Sequence, residues 1–435
     1  MVTTFTNKLG TVADAFEMFE SDGTSLRVSF ENDRLNEIRQ AQSSGISIRA
    51  VKDGKIGFSY SSKPDETDTV AQAALRMAPY GKAYDYDFAS QAKSEHTRPF
   101  DPECGKLNPD KLVAICNHVK DTMKAIDSEA LVDISIGGGI GKSRIVTSNE
   151  QDCSEEESSF SYSVSLRLVE EGNFVQNYRF GVANEVIPEE DILAAAKEVA
   201  EEFQIARKNA PLAKGTYPVL FAPSALGDIL MPINVGVNGS TIEKKTSRFV
   251  DALGEQLFDE RLTLIDDPFH ESGPSGGLYD GEGVPTQKRA IIEKGVVNGF
   301  QHTLSTAKRC GHEPTGNAQR SVSSLPSPGG HNLVMAAGED DLAEMMKKAE
   351  GGLYISQMLG TFTSNFLAGQ VSGNISLGFV IKDSVRIGRV KNCALNVNAF
   401  DLLKSNIVAI SKKREWVGSR YLPWLLVEGV PISAR

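Results

Sequence analysis

The stretch Gly45-Ile-Ser-Ile-Arg-Ala-Val-Lys-Asp-Gly-Lys-Ile-Gly-Phe-Ser-Tyr60 decides the fold class. Ile46 to Arg49 alternate apolar and polar residues, and so do Ile56 to Tyr60. That period of two belongs to strands whose successive side chains point to opposite faces. Between the runs stand Asp53-Gly54, which tolerate the two positive-φ positions of a type I′ turn, so a hairpin is predicted. Leu26-Arg-Val-Ser-Phe30 and Tyr162-Ser-Val-Ser-Leu-Arg-Leu168 repeat the alternation. Strands joined by tight turns make an antiparallel sheet, which leaves one face for helices to cover.

Three helices are predicted around these strands. Asn108-Pro109-Asp110 is a start signal: a capping side chain, a proline at the first position, an acid in the first turn. Leu112, Ile115, Cys116, Val119 and Met123 follow at spacings that make one apolar stripe, and His118 lies off it, predicted to be solvated. Pro188-Glu-Glu-Asp191 opens a second helix, with Ile192, Ala195, Val199 and Phe203 on one face. A third runs from Pro64 to about Met77. After the turn-rich segment Lys208–Thr216 the composition shifts to glycine and β-branched residues, with short helices at Ser224–Leu230 and Glu339–Ala349. The fold expected is α+β: an N-terminal antiparallel sheet with packed helices over residues 1–207, and a strand-rich, barrel-like domain over 208–435.

Composition narrows the function. Of 435 residues, 40% are hydrophobic and 24% charged, enough for a packed core. Lys and Arg number 46 against 57 Asp and Glu, a net charge of −11 that repels phosphate backbones and anionic membranes. No apolar run approaches the ~18–20 residues of a membrane span, and the first ten residues lack the pattern of a secretory signal. The five cysteines (104, 116, 153, 310, 393) are scattered without a CxxC pair, which fits a reducing cytoplasm.

Several motifs fail on inspection. Ile134-Ser-Ile-Gly-Gly-Gly-Ile-Gly-Lys-Ser143 ends like a phosphate-binding loop, but Ile136 stands where its first glycine belongs and no helix follows. It is read as a flexible turn between two strands. Gly273-Pro-Ser-Gly-Gly277 matches the GxSxG pattern without the strand and helix that expose a nucleophile, so a mobile surface loop is expected. His270-Glu271 and His312-Glu313 lack a second histidine one helical turn on. Met345 and Met346 are read as core filler.

The segment from Asp266-Asp267-Pro268 to Asp280-Gly-Glu-Gly-Val-Pro-Thr286 interleaves carboxylates with glycine and proline. It is either a solvated acidic loop or a rigid, backbone-presenting loop suited to an extended ligand. Thr315-Gly-Asn317 begins a second polar loop.

In order along the chain, Gly45–Phe58, Leu253-Gly-Glu-Gln256, Asp266-Asp-Pro268, Asp280–Thr286, Thr315-Gly-Asn317, Gly352-Leu-Tyr-Ile355 and Ser372-Gly-Asn-Ile-Ser376 resemble the TldD/PmbA family, once labelled modulators of DNA gyrase and regarded as metallopeptidases. Members that hold the metal carry an HExxxH helix after a strand of the Pro-Val-Leu-Phe-Ala-Pro kind, and a cysteine near the C-terminus. Here Met231 stands at the first histidine, Pro232 at the glutamate and Gly236 at the second histidine; the last residues have no cysteine, and Cys393 lies too early. The resemblance therefore points to the PmbA (TldE) branch. It implies no catalytic or metal-ligating residue in this chain, zinc in a TldD-like partner subunit, dimers, and an unfolded peptide as substrate. Asp280, Glu282, Gly283, Thr315, Gly316 and Asn317 are the residues expected to line the peptide site. The competing expectations are a self-sufficient hydrolase using another nucleophile or metal, and a non-enzymatic binding or modulator protein acting as a homodimer.

Overall fold

The computed structural model describes residues 11–170 and 173–434. The predicted hairpin is β2 (Arg34–Lys52) and β3 (Lys55–Ser61), preceded by β1 (Ala15–Glu31). Asp53 and Gly54 turn the chain at φ 51° and 70°, as a type I′ turn requires. With β4 (Leu131–Thr147), β5 (Asp152–Glu170) and β6 (Asn173–Ala183) they form an antiparallel sheet in the order β3-β2-β1-β4-β5-β6.

The glycine run from 137 to 141 is not a turn but lies inside β4. A Cβ on Gly137 or Gly139 would collide with the Leu26 or Thr24 carbonyl of β1, so glycine lets the two strands approach.

The three predicted helices are present: α1 (Thr67–Met77, after a 3-10 turn at Pro64–Glu66), α2 (Pro109–Ile126) and α3 (Glu189–Ala206). Asn108 caps α2 by accepting from the Lys111 N–H. Leu112, Cys116, Val119 and Met123 of α2 and Ile192, Val199 and Phe203 of α3 are buried in one core. Burying each large apolar side chain contributes about 1.5–3 kcal/mol. His118 is exposed and pairs with Glu189 at 2.6 Å.

Beyond residue 206 the strands are β7 (Gly215–Phe221), β8 (Leu264–Asp266), β9 (Arg289–Glu293), β10 (Val296–Val297), β11 (Ala318–Gln319), β12 (Ser327–Pro328), β13 (Leu333–Met335), β14 (Leu353–Leu359), β15 (Gln370–Lys382), β16 (Val385–Arg389), β17 (Cys393–Asn398), β18 (Ile407–Val417) and β19 (Arg420–Ala434). β19, β17, β15, β14 and β7 pair in turn, and β7 pairs back onto β19. This closes a five-stranded barrel, which removes free edges from those strands. Val219, Phe221, Ile355, Leu395 and Leu425 belong to the core of this domain. The alternate residues Leu220, Leu377 and Leu426 share a core with α2 and α3, so the helices are packed between sheet and barrel.

Candidate functional site

A cleft with a cavity of ≈ 580 Å³ separates the first sheet from the loops of the barrel domain. Phe19 and Ser21 of β1 and Cys153 and Glu155 of β5 form one wall; residues 275–281 and 318–323 form the other, with His331 beside them. The Gly273–Gly277 segment is therefore a packed wall and not a mobile surface loop. Asn184 donates to the Gly273 carbonyl at 2.6 Å, and Asn332 accepts from the Ser275 N–H at 2.9 Å.

The acidic segment is not solvated. Asp266, Asp267, Asp280 and Glu282 are all buried, turned inward onto backbone N–H groups and cations. Asp280 accepts from the N–H groups of Glu282, Val284 and Ala318. Burial and the neighbouring Glu282 push its carboxyl up to about 7, against the pull of those three donors. From the first sheet, Glu155 accepts from the Leu278 N–H at 2.9 and 3.0 Å, and Gln151 donates to the Gly283 carbonyl at 2.7 Å.

A buried ion network fastens this loop to the sheet. Arg49 of β2 donates to Glu17 of β1 and pairs with Glu282 at 2.9 Å, and Arg320 donates to Glu17 and, at 2.9 Å, to Ser47. Their side chains are at most 3% exposed. Burial alone would raise Glu17, but Arg49 and Arg320 outweigh it and hold the carboxyl below its usual range. The polar residues of the alternating stretch Ile46–Arg49 are buried too: Ser47 and Arg49 lie under the barrel domain. No local pattern reveals this pairing, since Arg320 and Glu17 lie 303 residues apart.

Of the six residues expected to line a peptide site, Asp280 borders the cleft. Gly283 borders a second cavity of ≈ 420 Å³, beside Tyr86, Leu304 and His312. Glu282, Thr315 and Asn317 are buried behind the wall, their side chains engaged within the chain. Glu282 accepts from the Leu304 N–H, Thr315 donates to Asn317, and Asn317 donates to Asp266 at 2.6 Å. Gly316 turns at φ 69°, where a Cβ would lie 2.6 Å from the Pro285 carbonyl oxygen. These residues support the wall rather than form its surface.

The histidines fall in separate places. His302 and His312 share a contact of 2.9 Å, and burial with His312 nearby pushes His302 down to about 4. His331 lies against Asp266 at 3.3 Å. His270 packs on Trp416 and Tyr421. Among the described residues, no three His, Cys, Asp or Glu come together as a metal-holding group.

Residues 214–434 match the PmbA/TldA metallopeptidase C-terminal domain, and residues 16–78 match domain 1 of the same family. The chain belongs to the PmbA/TldD metallopeptidase family. An uncharacterized protein of Methanocaldococcus jannaschii is 27% identical over 87% of this chain and 88% of its own length. A metalloprotease TldD homolog of Buchnera aphidicola is 23% identical over 86% of this chain and 80% of its own. TldE from Thermococcus kodakarensis has the same fold, with a TM-score of 0.93 over 100% of both chains at 21% identity.

The family name implies a metal, and the residues present do not fit one. After β7 come short helices at Pro223–Ile229 and Met231–Gly236, with Pro232 in the first turn, where a missing N–H costs nothing. Position 231 offers a thioether, 232 no donor and 236 no side chain. A Cβ on Gly236 would lie 2.5 Å from the Phe249 ring, so an imidazole has no room there. The Met231 sulfur instead accepts from the Arg420 guanidinium at 3.1 Å. A fixed cation at that sulfur opposes a second, divalent one. No helix among the described residues is long and apolar enough to cross a membrane.

Proposed function

We propose that this PmbA/TldD chain is the TldE-like subunit without a metal site in a cytoplasmic metallopeptidase complex, and that it holds an unfolded peptide in the cleft between sheet and barrel while a TldD-like partner supplies the zinc chemistry. The Met231–Arg420 contact carries the reading: a thioether stands at the position that the resemblance aligns with the first histidine of metal-bearing members, and an arginine occupies its sulfur. The cleft supports the peptide part of it, being lined on one side by the loop residues 275–277 and 318–323.

The test is metal analysis and peptidase assay of the purified chain, alone and co-expressed with an HExxxH-bearing relative. The chain alone is expected to carry no stoichiometric zinc and to leave an unstructured peptide intact, with cleavage appearing in the co-expressed complex. Chelator-sensitive cleavage by the chain alone would sink the proposal. Failure of every such relative to associate would leave the homodimeric binding protein as the reading.

A further inference from the structure

The cleft wall holds an unused hydrogen-bonding set. His331 is buried, with only 7% of its surface exposed. Its main-chain N–H donates to Asp266 Oδ1 at 2.7 Å, and its Nδ1 faces Asp266 Oδ2 at 3.3 Å. Asp266 is itself fixed by Asn317, which Thr315 holds in turn. Asn317 Nδ2 also lies 3.5 Å from Nδ1, but its two hydrogens are used on Asp266 and the Gly329 carbonyl. The carboxylate is then the partner that favours the proton on Nδ1, the tautomer in which Nε2 is an acceptor. Among the described residues that Nε2 has no hydrogen-bond partner, and His331 lines the cleft.

Donors of the opposite kind stand on the same wall. The N–H groups of Gly276 and Gly277 make no hydrogen bond among the described residues, and both residues line the cavity. Glycine is required at 276, where a Cβ would collide with the Pro268 carbonyl. The loop is tied to His331 through the next residue: Asn332 accepts from the Ser275 N–H at 2.9 Å and donates to the Asp267 carbonyl at 2.9 Å.

An acceptor and unbonded main-chain donors lining one cavity are complementary to a secondary amide. We infer that Gly276, Gly277 and His331 form a main-chain subsite for an extended peptide: the glycine N–H groups take a peptide carbonyl and His331 Nε2 takes a peptide N–H. His331 is a binding residue, and Asp266 a positioning residue that acts through it. The inference rests on the peptide reading of the cleft and gives it a sequence-tolerant mode of recognition, since every residue but proline offers the same two groups.

The experiment is a coupling cycle between ligand and protein. The probe is a fluorescein-labelled 12-residue peptide of Gly, Ala and Ser, together with analogues in which one amide at a time is replaced by an ester, which removes a single N–H. Affinities are measured by anisotropy for the full-length chain and for His331→Ala and His331→Gln. One ester position is expected to weaken binding to the wild type about tenfold and to cost nothing further in His331→Ala. His331→Gln, which keeps an acceptor, restores most of the affinity, and Asp266→Asn, with a changed tautomer preference, weakens the same ester-sensitive contact. Binding by the wild type with equal ester costs in His331→Ala overturns the subsite alone. No binding of any probe by the wild type overturns the peptide reading of the cleft as well.

Discussion

The two halves of β2 share a strand, a neighbour and a twist, and differ in everything around them. Both are paired to β1 throughout. Residues 46–51 are also paired to β3 and covered on both faces, by α1 on one side and the barrel domain's loops on the other. Residues 34–45 have no partner on their outer edge among the described residues, and Leu35 and Ile38 stand 48% and 46% exposed. Strand formation is thus a local property of this sequence, while burial is a property of what else folds against it. The covered half carries the period-two pattern; the outer half, whose side chains are nearly all exposed, does not.

That contrast can be broken at its strongest point. Arg49→Ala leaves Glu17 and Glu282 buried without their shared cation, and is expected to destabilise the chain by about 3–5 kcal/mol in denaturant unfolding. A loss under ~1 kcal/mol would mean that the two domains are not fastened through this network. Next in size, Ile48→Ala in the covered half is expected to cost about 2–5 kcal/mol, because a fully buried side chain leaves a cavity.

Acid titration sharpens the same point. Glu17 is held below its usual range in the folded chain, so the folded state binds fewer protons there than the unfolded one. Its contribution is present above the ordinary value of 4.5 and is lost as pH falls through the lowered one. His302 acts in the same direction at higher pH: its folded value of about 4 lies below the ordinary 6.5, so stability declines as pH drops from 6.5 toward 4. Asp280, raised to about 7, changes stability in the opposite direction over that range, so the His302 part is read by comparing urea midpoints of the wild type and His302→Asn between pH 6.5 and 4; the wild type should lose more stability with acid, and equal slopes would contradict the His302 assignment. Smallest of all, Ile38→Ala in the bare half should change stability by no more than about 0.5 kcal/mol. A cost comparable to that of Ile48→Ala would show that the outer half of β2 is covered in solution.

Much of the architecture was legible. Asp53-Gly54, Asn108-Pro109 and Pro188–Asp191 act through their own backbones and neighbours, and each appears where the residues placed it. The glycine run of β4 was misread because its reason is the carbonyls of β1, more than a hundred positions earlier. The acidic loop was left open between a solvated and a rigid reading because its carboxylates have no visible partners nearby; their partners include Arg49 and backbone N–H groups supplied by the fold. Asp280 was placed at the cleft by its motif, whereas Glu17, Arg49 and His331 carried no local signal at all.

The sequence alone determined which segments are strands and helices, and that positions 231, 232 and 236 offer no imidazole or carboxylate, because side-chain chemistry and short-range backbone preference are written residue by residue. The tertiary structure decided which carboxylates are buried, which arginine meets the Met231 sulfur and which main-chain groups remain free in the cleft. Those depend on distance in space, and a chain folded into a sheet and a barrel brings together residues as far apart as Glu17 and Arg320.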